Sequence, residues 1–561
     1  MLACTALVTV LCGALAGCGS SGTTGTTADP ATAVPAAAVL YAGATVRPSG
    51  SQKTAALAAG KALTHQADPY LRLLGALQTP GSARLSFGRD VAPWLGPHAG
   101  IFLSSLGSAS ALSSLLAQGL LGGSASGAFA FGAGGAQGAI VMDTSDSAKA
   151  RSFLNAQAAK AGAHATSYRG VNYEVTAAGV AFGLVDRFAV IGSESGLRSV
   201  IETTLGGAAL AHTGGYSKLL AAAPSDALAH IYSNPASSTR APKQEGLSGL
   251  LGVLGGAHAA NISLVPSASS LTLDADTLAS GSAGGGLLSA DPEGARALDE
   301  LPAESWLAIG LGHLGTSLDQ DVQALQGLVS LPSALGGGAP ESTAGISLGG
   351  LLQGMIAPLR VLGAPSAQAR RAFASWMGSA GIFASGASLL ELKAAVVITS
   401  KDPALSRAAV AELAAQLRKA GASVTPVRIP GTDAAVAARV SGLPVVLDIA
   451  DGPAAGGQTK FVLALGEASV PAALNPSSTL AGAAPRAAAA ASLGEGIQPS
   501  LIVDFPTLLS LFEGVGLLEA PSISKFVPYL RAATTLAGGG HELGGEVERF
   551  RLVLGLQAPS G

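Results

Sequence analysis

The stretch A-I-V-M-D-T-S-D, Ala139 to Asp146, decides how this chain is read, because A-V-V-I-T-S-K-D, Ala395 to Asp402, echoes it. The apolar run at its start predicts a buried strand. Ser145 and Asp146 then offer a helix N-cap. Beyond them Ala150, Phe153, Leu154, Ala158 and Ala161 fall near one helical face, and Gly162 stands where a helix ends on a left-handed residue. The segments A-T-S-Y, N-Y-E-V-T, G-V-A-F-G-L-V and R-F-A-V-I-G follow with short breaks and predict an antiparallel meander. The later stretch repeats the plan. Asp402 is the cap and Pro403 the first helical residue; Val410, Leu413, Ala414 and Leu417 form the apolar face, and Gly421 is the stop.

Other echoes run through the chain in the same order. V-P-A-A-A-V-L-Y-A-G (Val34–Gly43) parallels L-P-A-E-S-W-L-A-I-G (Leu301–Gly310). W-L-G-P-H-A-G-I-F (Trp94–Phe102) parallels W-M-G-S-A-G-I-F (Trp376–Phe383), in a protein with three Trp among 561 residues. K-A-G-A-H-A-T-S-Y-R (Lys160–Arg169) parallels K-A-G-A-S-V-T-P-V-R (Lys419–Arg428), Tyr232–Pro235 parallels Val503–Pro506, and Gly255–His258 parallels Gly538–His541. The ordered set predicts a tandem duplication, residues 34–279 and 301–558, joined by a Gly/Ser/Pro-rich linker over 280–300. Each copy is expected to be α+β, a mainly antiparallel sheet with helices packed on one side. Trp94 and Trp376 are expected to be core anchors where a helix gives way to a strand, with Gly96 and Gly378 turning the chain.

Composition narrows the function. Net charge is −3 with no basic run, and aromatics are 4%, which argues against a nucleic-acid partner. Hydrophobic residues are 48% and charged ones 12%, yet Gly, Pro, Ser or a charge interrupts every later apolar run before it could span a bilayer. The N-terminal apolar run is shorter than a spanning helix and ends at L-A-G-C, Leu15 to Cys18. That ending resembles the lipobox of bacterial lipoproteins, in which the Cys thiol receives a diacylglyceryl group and cleavage falls just before it. The resemblance implies a signal peptide over 1–17, lipid attachment at Cys18, a flexible tether over 18–33, and a home on the outer face of the cytoplasmic membrane. No Lys or Arg precedes the run, as a start lying inside the leader would leave it; an uncleaved anchor and an ordinary secretory signal are the alternatives. With Cys4 and Cys12 removed and Cys18 acylated, the body would hold no thiol.

The motifs that suggest chemistry are weak. G-L-G-H-L-G (Gly310–Gly315) has the GxGxxG form between a predicted strand and a predicted helix, but no acidic residue stands about twenty positions on. The matching place in the first copy reads A-G-A-T-V-R-P-S-G, so no cofactor is expected. F-G-A-G-G-A-Q-G (Phe131–Gly138) reads as a hairpin loop. His65, His98, His164, His212, His230, His258, His313 and His541 are scattered without metal-ligand spacing. No G-x-S-x-G appears. Asp143 and Asp146 read as helix-opening carboxylates, Glu194 and Glu467 likewise, and Asp143 becomes Thr399 in the second copy. No catalytic, cofactor or metal residue is therefore expected.

A-V-L-Y-A-G-A-T-V-R-P-S-G, P-W-L-G-P-H-A-G-I-F and the strand–D-T-S-D–helix unit together resemble an uncharacterised bacterial envelope family, domain of unknown function three-three-five-two. The resemblance spans most of the chain and is strongest in the first copy; it brings no site residues. The expectation is a non-enzymatic binding or scaffolding lipoprotein of the envelope, partnered by the membrane through Cys18 and by an envelope lipid or protein. A carrier of an apolar ligand and an enzyme with a spatially assembled site are the alternatives.

Overall fold

The computed structural model describes residues 28–64, 86–105, 131, 137–234, 259–278, 291–315, 374–388, 390–439, 446–514, 516–519, 524, 527–544 and 546–557. Its strands lie in one sheet, and every pairing in it is antiparallel. In chain order the first ten are β1 (Leu40–Thr45), β2 (Leu95–Ser105), β3 (Gln137–Thr144), β4 (His164–Tyr168), β5 (Val171–Val175), β6 (Val180–Val185), β7 (Phe188–Ser193), β8 (Ala229–Ser233), β9 (Ala260–Pro266) and β10 (Ser270–Leu278). The next ten are β11 (Ser305–Leu311), β12 (Met377–Ser385), β13 (Lys393–Ser400), β14 (Ser423–Pro426), β15 (Ala434–Arg439), β16 (Leu447–Pro453), β17 (Thr459–Leu465), β18 (Leu501–Asp504), β19 (Ala533–Gly544) and β20 (Val547–Leu556).

The pairings order the first ten as β4-β5-β6-β7-β3-β2-β1-β8-β9-β10 from outer edge to middle. The second ten run β14-β15-β16-β17-β13-β12-β11-β18-β19-β20, the same order. β10 and β20 meet in the middle.

Local chemistry sets the matching elements. Asp146 caps the helix Ser147–Lys160 by accepting from the Lys149 amide at 3.0 Å, and Asp402 caps Pro403–Lys419 by accepting from Ala404 and Leu405. The two caps have φ −145° and −142° and the same ψ of 99°. Gly162 (φ 67°) and Gly421 (φ 90°) end the helices in the left-handed region, where glycine avoids the Cβ penalty. The helix spans 14 residues in the first half and 17 in the second, which shifts the later sequence echoes. The expected meander is β4 to β7.

Helices cover both faces of the sheet, a correction to the expectation of one side. On one face sit Glu194–Thr204, Gly214–Ala222, Pro292–Asp299, Ser469–Leu474 and Ala484–Leu493. On the other sit Gly50–Thr64, Ser147–Lys160, Pro403–Lys419, Phe505–Gly514 and Val527–Ala532. The cause is visible in β7, where all six residues are buried, so both faces need cover.

The segment boundaries change as well. Asp291 caps a helix, Pro292–Asp299, whose Leu298 is fully buried, so the end of the expected linker 280–300 belongs to the second half's core. Ala31 and Ala33, in the expected tether 18–33, are also fully buried. Tyr232 has Ile502, not Val503, as its counterpart, because Tyr232 lies opposite Tyr41 and Ile502 opposite Ala308. The G-G-G-H run is inside β19 and does not precede a strand pair, and His258 lies outside the described residues.

Candidate functional site

Alternation along a strand sends every second side chain to one face, and cross-strand register lines such residues into rows. Two polar rows cross six neighbouring strands, β1, β8, β9, β10, β20 and β19. One runs Tyr41, Tyr232, Asn261, Asp276, Arg549, His541; the next runs Gly43, His230, Ser263, Asp274, Arg551, Gly539. Asn261, Ser263, Asp274, Asp276 and Arg549 are all buried.

Four alternating charges bind the middle of these rows. Arg551 holds Asp274 through two bonds, Nε to Oδ1 at 2.7 Å and Nη2 to Oδ2 at 2.8 Å. Arg549 holds Asp276 the same way, at 2.7 and 2.9 Å, and its Nη1 lies 3.4 Å from Asp274. Bidentate pairs of this kind satisfy charges that would be costly to bury alone. Burial still pushes the Asp276 carboxyl up, with Arg549 opposing, and the bond to Asp274 pushes the Arg551 guanidinium up. Arg549 also donates to the Ala222 carbonyl (2.7 Å) and Arg551 to the Leu493 carbonyl (3.1 Å). Both carbonyls lie at helix C-termini, where the helix dipole is negative.

Beside the charges lies an aromatic group in the first half. Tyr216, from the helix Gly214–Ala222, meets Tyr41 and Tyr232 edge to face at 5.9 and 5.1 Å. Its hydroxyl is 3.0 Å from His230 Nε2, and burial pulls His230 down to about 4. Gly43 and Gly100 make the room: a Cβ would come 2.7 Å from the His230 ring at Gly43 and 2.6 Å from the Tyr41 ring at Gly100. Burial also raises Tyr41 and lowers His541. The four charges form a belt across β10 and β20, held against one another and against helix ends.

The residues singled out from sequence fall elsewhere. Cys18 lies outside the described residues, as do His65 and most of the Phe131–Gly138 loop. Trp94 and Trp376 are buried, each before the first residue of its strand. Gly96 and Gly378 do not turn the chain; both lie inside strands. A Cβ on Gly96 would run into the Asp143 carboxylate, and one on Gly378 would meet the Thr399 carbonyl oxygen at 2.9 Å. Asp143 does not open a helix; it is buried in β3 and pairs with Arg187 at 2.7 Å. Asp146 does cap one, and Glu194 begins another while bonding Tyr173 and Arg198.

The GxGxxG glycines are explained by packing. A Cβ on Gly310 would strike the Gly294 carbonyl, one on Gly312 the Asp291 carboxylate, and one on Gly315 the Ala374 and Met377 carbonyls. A carboxylate therefore sits against the loop where a phosphate would need backbone amides. Asp291 also takes His313 Nδ1 at 2.6 Å and raises that histidine. Among the described residues no three His, Cys, Asp or Glu converge to hold a metal ion.

Sequence reading missed the charged belt. Its signal was present as D-A-D (Asp274–Asp276) and R-F-R (Arg549–Arg551), charges two apart within apolar strands.

A family model described as "Protein of unknown function (DUF3352)" matches residues 2–496. The chain belongs to this family. The DUF3352 match takes in the first half and the second as far as the helix Ala484–Leu493, and stops before β18. No curated protein matches the chain. A solved structure described as crystal form I of TP0453 is similar at 9% identity over 46% of this chain and 81% of that chain, with a TM-score of 0.25. At that score the likeness carries no argument.

Proposed function

We propose that this DUF3352 protein is a lipid-anchored, non-enzymatic binding or scaffolding module of the bacterial envelope, built by tandem duplication of one α+β unit. The observation that carries the reading is where the buried charge sits. The belt's two Asp and two Arg pair with one another across β10 and β20, the strands that join the halves, and none is left over as a base or nucleophile. The shared strand order and the matched caps support the duplication. Equivalent contacts outside the sheet support it too: Leu210 donates to the Val34 carbonyl at 2.8 Å and Leu480 to the Leu301 carbonyl at 2.9 Å. Ser145 donates to the Trp94 carbonyl and Lys401 to the Trp376 carbonyl.

The L-A-G-C ending at Cys18 supports the anchor and a position on the outer face of the cytoplasmic membrane. The test is mass analysis of the N-terminal peptide, with fractionation of the wild type and Cys18→Ala. A diacylglyceryl adduct on Cys18, with the variant shed from the membrane fraction, supports the reading; an unmodified Cys18 and an unchanged distribution overturn it. Native mass spectrometry of protein released gently from its envelope separates scaffold from carrier, since a lipid lost on denaturation favours the carrier.

A further inference from the structure

Counterparts in the two halves follow from register. Tyr41 and Ala308 hold the same place in β1 and β11, and their partners are Tyr232 and Ile502. Those lie opposite Asn261 and Ala537, which lie opposite Asp276 and Val553. Two residues back along β10 and β20, Asp274 and Arg551 are therefore counterparts, and they also face each other across the seam. A local two-fold axis passes between them. Asp276–Arg549 has Val553–Thr272 as its symmetric mate, and that pair is in register too.

An axis through a seam makes any residue on it face its own copy if the two sides are alike. Here the residue on the axis is Asp on one side and Arg on the other. Two β10 strands pairing this way would bury Asp274 against Asp274 and set Asp276 opposite Thr272. Two β20 strands would bury Arg551 against Arg551 and set Arg549 opposite Val553. All four charges are satisfied only when β10 meets β20. We propose that the Asp274–Arg551 pair is a recognition element between halves: it selects the opposite half and rejects a second copy of the same half. This rests on the duplication reading for its counterparts.

The test uses the full chain with Asp274→Arg, Arg551→Asp and the double reversal. Each single variant recreates a like-on-like meeting. Each should lower the urea midpoint by on the order of 1 M. The double reversal should recover at least half of the lost midpoint. Losses that simply add in the double variant overturn the proposal, as does an undiminished single variant. If the reversals yield no folded protein, the milder cycle Asp274→Asn, Arg551→Gln and both together reads the same coupling, and additivity there also overturns it. Failure of this test leaves the matched strand order standing, whereas loss of the β10–β20 register itself, read by cross-linking, removes the duplication's seam.

Discussion

The two halves place the same tryptophan at the same corner and fill the space beside it in opposite ways. In the first half Trp94 packs on Phe153 of the helix Ser147–Lys160, ring centres 5.0 Å apart, and the strand below offers Ala189. In the second, Trp376 packs on Phe461 of β17, 5.1 Å apart, and the helix offers Ala409 at the place of Phe153. The first half has a large–small pair where the second has a small–large one of nearly equal volume, an exchange of the kind that cores tolerate best. On the proposed duplication, position is held while composition drifts. That explains why the Trp stretch recurs legibly while its neighbours do not.

The largest expected effect breaks this exchange. Phe153→Ala and Phe461→Ala should each cost about 3–5 kcal/mol in urea unfolding. Adding Ala189→Phe to Phe153→Ala rebuilds the second half's arrangement in the first and should return a good part of that loss. A double variant no better than the single would show that the exchange is not compensatory.

The halves also differ in buried charge. Asp448 of β16 stands where β6 has Ala181, and burial, with Glu467 nearby, pushes its carboxyl up to about 6. Burial raises Asp451 as well, against the pull of Ser406 and Arg407. Below about pH 4 Asp448 is neutral in both folded and unfolded chains. Between about pH 4 and 6 the unfolded chain ionises first, so stability falls as pH rises, and above that the penalty is constant. Asp448→Ala should therefore gain about 2–3 kcal/mol at pH 7 and almost nothing at pH 4. His230 gives the first half the opposite response. It stays neutral down to about 4 when folded but takes a proton near 6.5 when unfolded, so stability is lost as pH falls through that window. Equal pH profiles for wild type and Asp448→Ala would contradict the comparison.

Glycine counterparts sharpen it further. A Cβ at Gly310 would strike the backbone carbonyl of Gly294, whereas one at Gly43 would come 2.7 Å from the His230 ring, a side chain and not backbone. Gly310→Ala should cost roughly 3 kcal/mol and Gly43→Ala roughly 1 kcal/mol, read by urea midpoint. A loss as small as that of Gly43→Ala is expected for Tyr216→Phe, which removes the bond to His230 and should cost about 1 kcal/mol; a loss as large as that of Phe153→Ala would mean the aromatic group carries more than packing.

What sequence alone could reach follows from how local each signal is. Asp146 and Asp402, Gly162 and Gly421, and the β4–β7 meander act within a few residues, and each was legible. The cover on both faces was not, because burial of a whole strand such as Phe188–Ser193 depends on helices far along the chain. The one-residue offset that pairs Tyr232 with Ile502 follows from register with β1 and β11, which no local pattern carries. The charged belt was legible only in hindsight: D-A-D and R-F-R lie more than 270 residues apart, and their meaning depends on β10 meeting β20.

The most direct test of two matched halves joined at one seam is a cross-link across it. Thr277 and Glu548 face each other in β10 and β20. In the full chain with Cys4, Cys12 and Cys18 replaced by Ser, Thr277→Cys and Glu548→Cys should join within one molecule on oxidation or with a short bismaleimide. The product should be a monomer whose joined peptides mass spectrometry identifies. Failure to join, or joining only between molecules, would contradict the account.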